Sequence, residues 1–174
     1  MPPENSTSNY PNRKSPRADF HDYSGGDYFI TICTEGKAHF FGEIKNNSLF
    51  PSRIGKVVHE KIESIPKHYP YAKILNYVVM PNHIHAIIRI DESSDASGCV
   101  PTSRSALSVV VGGFKQSVTV FARRNNISFG WQSRYHDHII RNEKDALKIS
   151  TYIDNNIAFW DNDCFNMQRA SEKP

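Results

Sequence analysis

Two histidines, His83 and His85, stand two residues apart in the segment HIHAIIRI (83–90). The β-branched residues around them predict a strand, and successive strand side chains point to opposite faces. Both imidazoles therefore share one face, while Ile84, Ala86, Ile88 and Ile90 share the other. Such an i, i+2 pair can grip one divalent metal ion; it is equally consistent with two polar side chains on the exposed side of a sheet. Further along, Tyr152 and Asn156 lie four residues apart on a predicted helix, which sets them side by side. Tyr152 falls at the margin of the apolar stripe Ala146, Ile149 and Ile153. At that position a tyrosine can simply pack its ring and leave its hydroxyl in water. A second His-x-His, His136 and His138, occupies another predicted strand, with Asp137 pointing the other way, and could compete as a metal site.

These residues need a scaffold. YFITICT (28–34) is dense in β-branched and aromatic residues and reads as a buried strand. A turn at Gly36 leads to a second short strand near residues 39–44, and Asn46-Asn47 marks another turn. Ser52 can cap a helix with the stripe Ile54, Val57, Val58, Ile62 and Ile65, ended by Pro66. Residues 72–80 and 83–90 read as a hairpin about Pro81-Asn82. After a polar loop over 91–104, a helix is expected from Ala106 to Arg124 and a strand over 135–140. Asn142 caps a last helix over about 143–157, with Glu143 and Asp145 in its first turn. The core order β, α, β, β, α, β, with an added hairpin and a C-terminal helix, predicts an α+β fold. It is the ferredoxin-like antiparallel sheet with two helices on one face.

A chain of 174 residues suffices for one domain that buries a core without disulfides. Its three cysteines (Cys33, Cys99 and Cys164) are far apart and odd in number. That pattern argues against a disulfide framework or a cysteine-based zinc site and fits a reducing cytoplasm. No apolar run approaches the ~18 residues of a membrane span, and the opening MPPENSTSNYPNRKSPR is no secretory signal. Residues 1–16 read as a flexible basic arm, 17–160 as the folded domain and 161–174 as a polar tail. Gly112-Gly113 matches no phosphate-binding loop and suits close helix packing or approach to DNA. The net charge of +3 permits a nucleic-acid partner without requiring one. It is an average over unlike segments: Arg104, Lys115, Arg123, Arg124, Arg134 and Arg141 are accompanied by a single acid, Asp137.

The segment YVVMPNHIHAIIRI (77–90) resembles the HUH motif of single-tyrosine transposases, two histidines flanking one hydrophobic residue. Four further stretches resemble the branch called REP-associated tyrosine transposases: RKSPRADFHDYSGGDYFITICT (13–34), FFGEI (40–44), VVGGFKQSVT (110–119) and WQSRYHDHIIRNEKDALKISTYIDNN (131–156). The resemblance implies that His83, His85 and Asn156 hold Mg2+ or Mn2+ and that Tyr152 is the nucleophile. The ligand set alone would not choose those ions, since imidazole favours zinc and later metals. The family usually carries Asn-Pro where this chain has Asn156-Ile157, so the helix is expected to run on a little. His136 and His138 have no metal role in the resemblance and read as DNA-facing or structural. The implied reaction cuts and rejoins single-stranded DNA at REP-like hairpins through a covalent 5′-phosphotyrosine, without a nucleotide cofactor.

Arg13, Lys14 and Arg17 of the arm, with the six basic residues of the 104–141 segment, are the expected DNA contacts. A monomer is expected, because the REP-associated branch resembles monomers whereas insertion-sequence relatives exchange tyrosine helices as dimers. Two other readings compete. One is a domesticated, non-catalytic binder of palindromic single-stranded DNA or RNA on the same fold, although the aromatic signature of RNA-recognition modules is absent. The other is a structural domain that binds zinc.

Overall fold

The computed structural model describes residues 25–91 and 105–166. The basic arm, the 92–104 loop with Arg104 and Cys99, and residues 167–174 lie outside the described residues. The sheet consists of β1 (Gly26–Cys33), β4 (Ala72–Val79), β5 (His83–Ile90) and β6 (His136–Ile140), in the order β4-β5-β1-β6 with every neighbouring pair antiparallel. Between them come the hairpin β2 (Gly42–Lys45) and β3 (Ser48–Pro51), then α1 (Arg53–Glu63), α2 (Ile65–His68), α3 (Ala106–Arg124) and α4 (Glu143–Asn155). This is the expected ferredoxin-like α+β plan. No described helix is long and apolar enough to cross a membrane.

Strand alternation sorts the side chains into two layers. Tyr28, Ile30 and Ile32 of β1, with Ile84, Ala86, Ile88 and Ile90 of β5, meet Ile54, Val58 and Ile62 of α1. Leu107, Val110, Phe114 and Val118 of α3 complete that layer. On the other face, Val78, Met80 and Ile87 pack with Ile153 of α4 and with Trp160. The histidines therefore lie between the sheet and α4, and not on an open sheet face.

A bulge in β4 makes the second layer possible. The register to β5 shifts between Ile74 and Asn76, leaving Leu75 exposed. An extra residue reverses the facing of everything after it. Tyr77 and Val79 consequently return to the α1/α3 side, while Asn76 and Val78 turn toward α4. Asn76 Nδ2 donates to Ser150 Oγ and Asp154 Oδ1, both at 2.8 Å, and so docks the helix.

Local chemistry explains the remaining boundaries. Ser52 Oγ accepts from Gly55 N–H at 3.0 Å and starts α1. Pro66 does not end that helix: α1 stops at Glu63, and Pro66 sits in the first turn of α2, where its missing N–H is harmless. Asn46 and Asn47 both take left-handed φ (51° and 54°), as a two-residue hairpin loop requires. Residues 161–166, expected in a polar tail, continue the packed domain, because Trp160 is 5% exposed and Phe165 reaches the histidines.

Two glycines give a stability test. A Cβ at Gly55 would collide with the backbone of Phe41, whereas one at Gly112, on the exposed side of α3, meets nothing. Gly55→Ala should therefore lose about 1–3 kcal/mol by overpacking. Gly112→Ala should gain about 0.5–1 kcal/mol of helix stability. Urea denaturation of the two variants checks the opposite signs.

Candidate active site

The site begins with two strand neighbours whose rings are each held at Nδ1. His83 is fully buried and its Nδ1 lies 2.8 Å from Asn82 Oδ1. Asn82 is equally buried, and its amide donates to the carbonyls of Lys37 (3.0 Å) and Phe165 (2.8 Å). Both amide protons being engaged, its oxygen must face His83, and His83 Nδ1–H is the donor. His83 Nε2 is left with a free lone pair. His85 is 2% exposed, and its Nδ1 lies 2.9 Å from the hydroxyl of Thr31, its cross-strand partner on β1. That contact turns His85 Nε2 toward α4.

α4 supplies the opposing groups. Asn142 caps it, accepting from Asp145 N–H at 2.9 Å, and two negative side chains in the first turn suit its dipole. Of the apolar stripe, Ile153 is buried and Ile149 partly so. Tyr152 is 46% exposed, yet its hydroxyl lies 3.2 Å from His85 Nε2 and its ring meets Phe29 edge-on. Asn156, one turn later, is 4% exposed and forms the C-cap in right-handed helical geometry. The helix ends at Asn155, with only a loose turn beyond, so Ile157 in place of proline extends it little.

Two buried atoms are orphaned among the described residues: His83 Nε2 and Asn156 Oδ1 have no hydrogen-bond partner. Leaving such lone pairs unsatisfied is costly. A cation would satisfy both. No three His, Cys, Asp or Glu groups form a ready cluster among the described residues, so imidazole pairs must be completed by other oxygen donors.

Burial sets the protonation states. It holds His85 at about 4 and, with the neighbouring His85 and Lys37 adding repulsion, His83 at about 2. Both are neutral lone-pair donors at pH 7. Burial also raises the Tyr152 phenol, a hydrogen bond from Asn156 opposes this, and Asp163 raises it further. An open cleft of about 580 Å3 runs beside these groups, lined by Lys148, Tyr152, Asn156, Phe159 and Asp163 among others.

Four residues around the site carried no distinctive sequence signal of their own or were read otherwise. Thr31 and Asn82 orient the imidazoles; Asn82 read only as a turn residue. Asp163 and Phe165 come from the segment expected to be tail, and the Phe165 ring lies 4.5 Å from that of His83. The second histidine pair lies on the edge strand. His138 Nε2 is 2.9 Å from Asp145 Oδ2 and steadies the start of α4.

The described basic residues are dispersed. The ammonium of Lys115 donates to the carbonyls of Gln132 (2.7 Å) and Ser133 (3.4 Å), tying α3 to the segment before β6. Arg123 and Arg124 end α3, on the sheet face opposite α4. Arg134 precedes β6, and Arg141 directly precedes the cap of α4.

The lowered histidine values have a testable consequence in the metal-free protein. The unfolded chain binds protons near pH 6.5 and the folded one does not. Stability is thus complete above pH 6.5 and is lost as pH falls toward 4, by on the order of a few kcal/mol. Melting curves against pH should show this loss, and His85→Gln should reduce its slope.

The family described as transposase IS200 like matches residues 33–156. An uncharacterized protein of Haemophilus influenzae Rd is 38% identical over 164 residues, covering 87% of this chain and 91% of that protein. The solved structure of a REP-associated tyrosine transposase bound to a REP hairpin superposes with a TM-score of 0.56 at 20% identity, over 82% of this chain and 73% of that one. A transposase candidate from Deinococcus radiodurans R1 gives a TM-score of 0.47 at 12% identity, over 82% of this chain and 96% of the other. The family match takes in the strand that carries the histidines and ends on Asn156, and the chain belongs to the IS200-like transposases.

Proposed function

We propose that the protein is a metal-dependent single-strand DNA nickase and strand transferase acting at hairpin-forming, REP-like palindromes, with Tyr152 as nucleophile. One observation carries this reading: the Tyr152 hydroxyl meets His85 Nε2 beside two unpartnered, buried donor atoms, His83 Nε2 and Asn156 Oδ1. Those three donors would hold Mg2+ or Mn2+. Bound there, the ion supplies positive charge that polarises a phosphate oxygen and favours the phenolate.

The chain's own groups perform the remainder. Thr31 and Asn82 fix which imidazole nitrogens face inward, so the lone pairs need no rearrangement. α4 holds the phenol at the mouth of the cleft, half in solvent, where a phosphate can reach it. Tyr152 Oη attacks phosphorus in line; the O–P bond forms as the bond to the 3′ oxygen breaks. The phenol proton leaves to water, and the departing 3′ oxygen takes one up. The phosphotyrosine retains the energy of the diester, so a second 3′-OH can reverse the step. A raised phenol pKa guards against reaction before the site is charged.

The site is complete within one chain, which supports a monomer. Arg134 and Arg141, which flank β6 next to α4, are the described residues we assign to phosphate contacts. Arg123 and Arg124 would serve duplex further away. The hairpin partner of the structurally similar REP-associated transposase supports a hairpin here.

Tyr152→Phe should abolish the denaturation-resistant protein–DNA adduct formed with a labelled hairpin oligonucleotide and Mn2+, while hairpin affinity changes by less than about twofold. An undiminished adduct in that variant would remove Tyr152 as nucleophile. His83→Ala should lower Mn2+ affinity at least about tenfold and stop cleavage; isothermal titration and a nicking gel read the two effects separately.

A further inference from the structure

We infer that Asp163 is a further ligand of the metal site, contributing the anionic oxygen that His83, His85 and Asn156 lack. This rests on the metal-binding reading proposed above. Asp163 follows the 3-10 turn Trp160–Asn162, which carries the chain from α4 back over the histidines. Its side chain is 5% exposed, and Oδ2 stands 3.8 Å from His83 Nε2, one of the two orphaned atoms.

That contact is neither hydrogen bond nor ion pair. It is too long for the first, and His83 is held neutral by burial. No described lysine or arginine pairs with Asp163; its hydrogen bonds come from Phe165 N–H and the Cys164 side chain, so a carboxylate without a cationic partner faces the unpartnered His83 Nε2. Burying such a group without a cation is costly. The separation is close to what a shared ion needs: two donors each about 2.1 Å from one centre lie about 3.0–3.4 Å apart. His83, His85 and Asp163 do not form a ready cluster as they stand, so the carboxylate must turn toward His83 to close the difference. Its other oxygen is already fixed, since Oδ1 accepts from Phe165 N–H at 2.8 Å.

A carboxylate also changes which ion the site suits. Two imidazoles and an amide oxygen form a neutral set that favours later transition metals. With Asp163 the set becomes two nitrogens and two oxygens with one negative charge, better matched to Mn2+ or Mg2+.

The test is a Mn2+ titration of the full chain, following the resonance of the free aqueous ion, for wild type, H83A, D163N and D163E. Thermal melts of each metal-free protein accompany it. D163N keeps an oxygen for Phe165 N–H and removes a buried charge, so its metal-free melting temperature should be no lower than wild type while Mn2+ affinity falls at least about tenfold. D163E restores the charge and should recover most of the affinity. Equal affinity in wild type and D163N overturns the assignment. So does weak binding in D163N that comes with a lowered metal-free melting temperature and is not rescued by D163E. Absence of Mn2+ binding by wild type, with H83A indistinguishable from it, overturns the metal-binding reading itself.

Discussion

Each of the two histidines has its Nδ1 tied to a polar neighbour, and the surrounding structure is arranged around those two contacts. Asn82 can accept from His83 only because its own amide is held by two backbone carbonyls, one from the turn after β1 and one from Phe165. Thr31 can meet His85 only because β1 and β5 pair in the register that opposes them. The outcome is a pair of neutral imidazoles whose Nε2 atoms face inward, enclosed on a sheet face where charge would be heavily penalised.

Enclosing that face requires a third layer, and a ferredoxin-like sheet does not provide one by default. The bulge at Leu75 supplies the means. Before it, β4 contributes to the core shared with α1 and α3; after it, Asn76 and Val78 face α4. α4 in turn offers Tyr152 and Asn156 on the side that meets the histidines, one helical turn apart.

Much of this was legible in the sequence because it follows from two local periods. A repeat of two on a strand places His83 and His85 on one face, and a spacing of four on a helix pairs Tyr152 with Asn156. The sheet order follows from the element sequence and the rules of connection. The rest depends on tertiary contact. Nothing about Leu75 marks a bulge, since the residue is ordinary and the shift arises from pairing. The charge of Lys115 is visible in a sequence, whereas its carbonyl partners, seventeen and eighteen residues away, are not. Asp163 lay in a stretch whose composition suggested a tail, and its importance appears only when Trp160 and Phe165 fold it back onto the site. The arm that carried Arg13, Lys14 and Arg17 lies outside the described residues.

α4 buries one side chain fully, Ile153, and is otherwise held by polar and edge contacts: His138 at its start, Asn76 and His85 along it, and the anchor of Trp160 just beyond its end. Segments held so lightly open at a smaller free energy than the sheet beneath them. Tyr152 therefore rides on a lightly held helix, while the histidines sit in a strand paired on both of its edges. Under the proposed reaction, that difference would let the half of the site joined to DNA shift relative to the half that holds the metal ligands.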